Sequence, residues 1–293
     1  MPELPEVQTT VNGLQKKVLG GTFIDVWTDW EKMVKRPARF KEFKKQLKGR
    51  SILRVWRRAK NVVFELLGGY SLLIHMKMTG HLLVGIWNLE SGIWKSVEDG
   101  PLKEKINGYL HIIFFLDNGK MIALSDMRKF AKVELVKTED LHKEFEGLGP
   151  EPLEKSFTFE KFQALFTRRR GKVKQVIMVP QFIAGIGNIY ASEALWEAKI
   201  HPVKDISKLG RKELRVLYNA IRKVLALGVE FGGDSFSDYR DVDGNKGKFE
   251  GKKKVYQRTG QPCLRCITLI KRLKIGQRSS FYCPACQTLN PKF

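Results

Sequence analysis

Glu146-Gly147-Leu148-Gly149-Pro150-Glu151-Pro152 divides this chain into two kinds of pattern. Its paired glycines and prolines fit neither the period of two of a strand nor the 3.6 of a helix, so the stretch marks an interdomain boundary. Upstream, from Thr22 to Val136, apolar residues follow strand patterns with two hairpin signals. These are Gly68-Gly69 ahead of Ser71 to Met76, and Asp117-Asn118-Gly119 between His111 to Leu116 and Met121 to Leu124. A β-sandwich or a barrel is the expected result. Further upstream, Val7, Val11, Leu14 and Val18 recur at helical spacing, which predicts an amphipathic helix from about Pro5 to Leu19. Downstream of the boundary, helical patterns run through Phe159 to Phe166, Val173 to Val179, Ile189 to Ala198 and Arg211 to Leu227. Residues 232–254 are rich in Gly, Asp and Lys and poor in apolar side chains, and they read as a mobile loop. There is no internal repeat. The chain therefore reads as α+β and multidomain, with domains over 1–137 and 150–235 and a small cysteine module over 255–293.

Composition narrows the partners. The 293 residues include 53 Lys+Arg against 31 Asp+Glu, a formal net charge of +22, so the surface carries a large positive field and polyanions are the expected ligands. A hydrophobic fraction of 43% suffices for packed cores. No stretch reaches the roughly 18 consecutive apolar residues of a spanning helix, so no membrane is expected as a partner. Met1-Pro2-Glu3-Leu4-Pro5-Glu6 has neither a basic start nor an apolar run, so it does not read as a signal peptide, and a soluble, cytoplasmic protein is expected.

All four cysteines fall between Cys263 and Cys286. Cys263-Leu264-Arg265-Cys266, then sixteen residues, then Cys283-Pro284-Ala285-Cys286 is a paired C-x2-C arrangement suited to one tetrahedral Zn2+. Two redox pairs are the alternative, but the βαβ setting of thioredoxin-like motifs is missing. Four thiolates leave no open coordination position, so the metal is structural. It would stiffen the hairpin from Thr268 to Tyr282, which carries Lys271, Arg272, Lys274 and Arg278. Those bases face either an anion or solvent.

Once Met1 is removed, Pro2 becomes a secondary amine. An α-amino group titrates at roughly 8, well below lysine, so it is a better nucleophile at neutral pH. Glu3 and Glu6 stand beside it at the positive end of the first helix, where anions are favoured. The bland alternative is that Pro and Glu are ordinary first-turn residues.

Met1-Pro2-Glu3-Leu4-Pro5-Glu6-Val7 resembles the opening of formamidopyrimidine-DNA glycosylases, and the resemblance continues through nearly the whole chain. Arg57-Arg58-Ala59-Lys60, His75-Met76-Lys77-Met78-Thr79-Gly80 and Asp126-Met127-Arg128-Lys129-Phe130-Ala131 match in order. So do Leu148-Gly149-Pro150-Glu151-Pro152-Leu153, Gly185-Ile186-Gly187-Asn188-Ile189-Tyr190-Ala191-Ser192-Glu193 and Gln277-Arg278-Ser279-Ser280-Phe281-Tyr282-Cys283. The resemblance implies an N-terminal β-sandwich with a leading helix, a helix-two-turns-helix domain and a C-terminal zinc-finger β-hairpin. It implies a monomer that excises oxidised purines from damaged double-stranded DNA and then cleaves the abasic site by β,δ-elimination. Pro2 would be the nucleophile and Glu3 the proton donor, with Lys60 and Arg278 assisting at the phosphates. Met78, Arg128 and Phe130 would fill the void left by a flipped base, which offsets an unstacking cost of a few kcal/mol. His111, Arg170, Lys174 and Asn188 would bind phosphate. For Asn188 a helix cap is the competing reading, for His111 a structural role, and for Arg170 and Lys174 simple solvation.

The chain departs from the family pattern in places. Lys77 stands where Gly is common, Met127 and Ala131 where Pro and Gly are frequent, and Tyr109 where many members have a second histidine. Two other functions compete. The related class that removes oxidised pyrimidines typically has Gly where this chain has Leu4, and Met78, Arg128 and Phe130 also favour purines. A catalytically silent DNA-binding protein would have no use for Pro2, Glu3 and Lys60.

Overall fold

The computed structural model describes residues 1–167, 169–235 and 238–289. The chain forms two units, residues 1–146 with 231–250 and residues 147–230 with 251–293. In the first, α1 (Leu4–Val18) leads into β1 (Phe23–Thr28), β2 (Val34–Arg36), α2 (Phe40–Leu47), β3 (Ile52–Arg58), β4 (Asn61–Leu66) and β5 (Tyr70–His75). There follow β6 (His81–Gly85), β7 (Trp87–Glu90), β8 (Ile93–Ser96), β9 (Leu110–Leu116), β10 (Met121–Ser125), β11 (Lys132–Lys137) and α3 (Leu141–Glu144). One sheet has the order β1-β9-β10-β6 and the other β2-β11-β5-β4-β3. The two sheets make a sandwich, not a closed barrel. Both sequence-predicted hairpins form: β4 pairs with β5 across Gly68-Gly69, and β9 with β10 across Asp117-Asn118-Gly119.

Alternation explains the sandwich. Ile112, Phe114 and Leu116 of β9 share one core with Val62, Phe64 and Leu66 of β4 and with Val7, Val11 and Leu14 of α1. Each such side chain contributes roughly 1.5–3 kcal/mol on burial. Ile113, from the other face of β9, packs with Trp87, Leu102 and Ala123 in a separate cluster. Covered on both faces, β9 can be apolar almost throughout. One element is absent from the sequence reading: α2 lies inside the stretch assigned to strands. Its signal was present, since Phe40, Phe43 and Leu47 recur at helical spacing and Phe43 and Leu47 are fully buried.

Residues 232–254 also differ from expectation. Instead of a mobile loop, the described part of 231–250 packs onto the first unit, where Tyr239, Val242 and Phe249 are buried. The Val84 amide donates to the Val242 carbonyl at 2.8 Å. Gly13, in the interior of α1, belongs to this packing, because a Cβ there would lie 2.4 Å from Val242 Cγ2. A low apolar count concealed three side chains that are buried, none more than 5% exposed.

The second unit comprises α4 (Phe159–Phe166), α5 (Val173–Ile177), α6 (Asn188–Glu197), α7 (Arg211–Glu230) and the hairpin β12 (Lys271–Ile275) and β13 (Arg278–Tyr282). Tyr218 of α7 meets Phe157, Phe159 and Phe162 at ring separations of 5.4–6.1 Å, and its hydroxyl donates to the Phe157 carbonyl at 2.7 Å. Residues Tyr190 to Trp196 of α6 are all buried, so the helix is enclosed on every side. Among the described residues no helix is long and apolar enough to cross a membrane.

Candidate active site and nucleic-acid interface

In the first unit, Pro2 and Glu3 are buried at the start of α1. Glu3 is the N-cap, and it forms a reciprocal capping box with Glu6: the Glu3 amide donates to Glu6 Oε2 at 2.7 Å. The other oxygen of Glu6 accepts from the Asp234 amide at 2.7 Å, and the Tyr239 hydroxyl donates to the Glu6 carbonyl at 2.9 Å. A single buried carboxylate thus fixes both the residue after Pro2 and the segment 231–250. The sequence offered Glu6 only as a neighbouring acid. Lys60 occupies the two-residue turn between β3 and β4, where Arg58 pairs with Asn61 and Ala59 takes φ +52°. Arg57 holds this turn by donating to the Ala59 carbonyl at 2.9 Å and to Gln8 of α1 at 3.0 Å.

Two neighbouring loops carry Met78, Arg128 and Phe130. All three side chains are exposed, Phe130 by 52%, although two of them are apolar. The Arg128 guanidinium lies over the Phe130 ring at 4.5 Å. Lys77 adopts φ +56°, a left-handed conformation that glycine takes without steric cost. His75, just ahead of it, accepts from the Lys77 amide at 3.0 Å. Burial, then the nearby Lys77 and Lys60, holds its imidazole down at about 4. His111 is only 8% exposed, and its Nδ1 lies 2.8 Å from Asp29.

In the second unit, Asn188 is the first residue of α6 and Gly187 is the N-cap, so the capping alternative for Asn188 does not apply. Its Oδ1 has no hydrogen-bond partner among the described residues. Arg170 is exposed between α4 and α5, while Arg168 lies outside the described residues. Lys174 requires a correction. Expected on a phosphate-facing surface, it is 2% exposed, and its ammonium donates to Ser192 Oγ (2.9 Å), Ser280 Oγ (2.9 Å) and the Ser279 carbonyl (3.2 Å). Its ammonium is thus spent on internal oxygens. Arg278 opens β13 beside the turn Gly276-Gln277 and is exposed. With Gln175, Met178, Gln181 and Gln277 it lines a cavity of about 440 Å³.

The cysteine module rests on α6. Trp196 Nε1 donates to Cys263 Sγ at 3.4 Å, and Arg265 stacks on the Trp196 ring at 3.7 Å. Glu193 of α6 accepts the amides of Lys254, Val255 and Tyr256 at 2.8–3.0 Å, while burial pushes its carboxyl up. All four Sγ atoms lie within 4.8 Å of one another, with individual separations of 3.3, 3.4 and 3.9 Å. A tetrahedron with Zn–S bonds of about 2.3 Å has edges of about 3.8 Å, whereas a disulfide needs about 2.05 Å. The donor set therefore fits one structural Zn2+. Lys271, Arg272, Lys274 and Arg278 are all exposed on the hairpin that the cluster closes.

Three family models match the chain in order. They are described as the formamidopyrimidine-DNA glycosylase N-terminal domain (residues 1–133), the formamidopyrimidine-DNA glycosylase H2TH domain (148–240) and a zinc finger found in FPG and IleRS (260–289). The formamidopyrimidine-DNA glycosylase of Pelotomaculum thermopropionicum is 38% identical over 98% of this chain and 99% of its own length. That of Solibacter usitatus is 39% identical, again over 98% and 99%. Among solved structures, Lactococcus lactis Fpg in complex with DNA containing an abasic site superposes with a TM-score of 0.85 at 30% identity, covering 97% of this chain and 99% of that one. MutM in complex with DNA containing carbocyclic 8-oxo-G gives 0.84 at 30% identity, covering 98% and 99%. With its sandwich, its helical domain and its four-cysteine hairpin all accounted for, the chain belongs to the formamidopyrimidine-DNA glycosylase family.

Proposed function

We propose that this chain is a bifunctional DNA glycosylase and abasic-site lyase. It excises oxidised purines, 8-oxoguanine and formamidopyrimidines, from damaged double-stranded DNA and cleaves the strand by β- and δ-elimination. The observation that carries the reading is the match of the whole chain to formamidopyrimidine-DNA glycosylases. The same names argue against the oxidised-pyrimidine and catalytically silent alternatives.

Each step has a residue suited to it. With Met1 removed, the Pro2 nitrogen attacks C1′ and the bond from C1′ to the base breaks, while Glu3 supplies the proton that the opening sugar or the departing base requires. The C1′–O4′ bond then opens, its oxygen taking up the proton, and because a secondary amine cannot settle into a neutral imine the ring-opened adduct is an iminium cation. That charge acidifies C2′. Loss of the C2′ proton expels the 3′ phosphate, and a second elimination expels the 5′ phosphate. Lys60 and Arg278 stabilise the phosphates and assist the proton transfers. Met78, Arg128 and Phe130 fill the space of the flipped base. His111, Arg170 and Asn188 hold phosphates, with the Asn188 carboxamide at the positive end of α6. Lys174 acts from inside, bracing the strand that carries Arg278. Zn2+, held by Cys263, Cys266, Cys283 and Cys286, supplies rigidity and takes no part in bond breaking. Residues 1–137, 150–235 and 255–293 divide these tasks among three modules in a monomer that works on nucleoid DNA in the cytoplasm.

Borohydride trapping tests the mechanism. Processed protein with duplex containing 8-oxoguanine should yield a stable crosslink mapping to residue 2. Pro2→Gly should lose most of it, and Glu3→Gln should bind lesion DNA yet release the base slowly. A crosslink mapping to a lysine, or excision with no crosslink, would overturn the assignment of Pro2.

A further inference from the structure

Asp126 is fully buried, yet it lies between two loops whose outermost side chains, Met78 and Phe130, are 42% and 52% exposed. Its Oδ1 accepts the Thr79 hydroxyl and the Arg128 amide (3.2 Å), and its Oδ2 accepts the amides of Phe130 (2.7 Å) and Ala131 (2.8 Å). Its carbonyl accepts the Lys129 amide at 3.0 Å, and its own amide donates to the Tyr109 carbonyl at 2.9 Å. Thr79, 6% exposed, completes the circuit by accepting the Arg128 amide at 3.2 Å. Side-chain bonds from one carboxylate and one hydroxyl therefore reach the amides at 128, 130 and 131 and tie them to the residue following Met78.

We infer that Thr79 and Asp126 are positioning residues that clasp the two loops together, so that Met78, Arg128 and Phe130 enter the duplex as one preformed unit. The inference rests on the void-filling role proposed above. The need for a clasp is energetic. A side chain standing 52% exposed on a loop that also contains Lys129 at φ +55° gains little from its own contacts. Unclasped, the loops would have to be ordered at the moment of insertion, and that cost would fall on the insertion step. Asp126 suits the task because a carboxylate is acceptor-only and can take donors on both oxygens. An Asn would turn its NH2 toward two amides on one side or toward the Arg128 amide on the other.

The experiment uses full-length, zinc-loaded protein and duplex containing 8-oxoguanine, with 2-aminopurine beside the lesion to report unstacking. Thr79→Val keeps the shape and removes the hydroxyl, whereas Thr79→Ser restores it. Thr79→Val should slow single-turnover excision and the 2-aminopurine rise together by about tenfold, as expected for one lost hydrogen bond, while affinity for undamaged duplex stays within twofold. Thr79→Ser should recover both. Phe130→Ala should cost less in the Thr79→Val background than alone, because a loop already released has less to lose. Wild-type rates in Thr79→Val, no rescue by Ser, or strictly multiplicative losses would each overturn the clasp. Wild-type protein that leaves the oxidised purine in place would instead overturn the function on which the clasp rests.

Discussion

In the first unit the loops that carry Met78, Arg128 and Phe130 are pinned from beneath by carboxylate and hydroxyl acceptors, and the sheets under them form a continuous apolar core. The second unit holds Arg278 differently. Its hairpin has two five-residue strands, too few to bury a core of their own, and is fastened by the Lys174 ammonium, by the Glu193 carboxylate on the chain leading into it, and by four thiolates. The contrast separates two ways of presenting a charged or apolar group to a polyanion. A loop on a large sandwich needs only its amides satisfied, whereas a small hairpin needs its whole framework supplied from outside.

Removing zinc should break this symmetry most visibly. A structural Zn2+ supplies on the order of 10 kcal/mol of ordering free energy. Chelation, or Cys283→Ser, should therefore collapse the amide signals of β12 and β13 while those of the sandwich strands persist, and should depress DNA binding. Metal-free protein retaining an ordered hairpin would place the stability elsewhere.

Acid should act on the first unit through histidine. Burial holds His81 at about 4, below the ordinary 6.5, and His75 moves the same way. The unfolded chain therefore takes up these protons first. The stability is full above 6.5 and is lost as pH falls from there toward 4, on the order of 3 kcal/mol for the enclosed His81. His201 of the second unit is also lowered by burial, so the assignment comes from a variant. Denaturant midpoints between pH 7.5 and 4.5 should fall less in His81→Gln than in wild type. An identical decline in both would remove His81 from the account.

Within the second unit, Lys174 and Arg170 sharpen the distinction between a brace and a contact. Lys174→Met should lower stability by about 2 kcal/mol, since it leaves the Ser280 hydroxyl and the Ser279 carbonyl short of a donor. Arg170→Ala, the smallest effect, should leave stability unchanged and reduce the slope of log K against log salt by about one. A Lys174→Met protein of undiminished stability whose salt slope falls would put Lys174 on a phosphate after all.

Much of this was legible before any coordinates. The break at residues 146–152, the two hairpins and the helical runs beyond them rest on local rules of periodicity and turn chemistry, and those rules hold within a few residues of chain. Four cysteines spaced as two C-x2-C pairs specify a metal for the same reason. Pro2, Glu3 and Lys60 could be proposed as chemistry from sequence because of where they stand, next to the terminus or within a motif resembling the family's. Tertiary structure decided what depends on partners far apart in sequence. Glu6 reaches Asp234, Thr79 reaches Asp126, Lys174 reaches Ser280 and Gly13 makes room for Val242, and no local pattern encodes any of these. A lysine reads alike on paper whether its ammonium ends in water or among three oxygens. A polar segment reads as mobile until Tyr239, Val242 and Phe249 find a core to enter. Burial is a property of the folded chain, and so is the difference between a residue that touches DNA and one that holds such a residue in place.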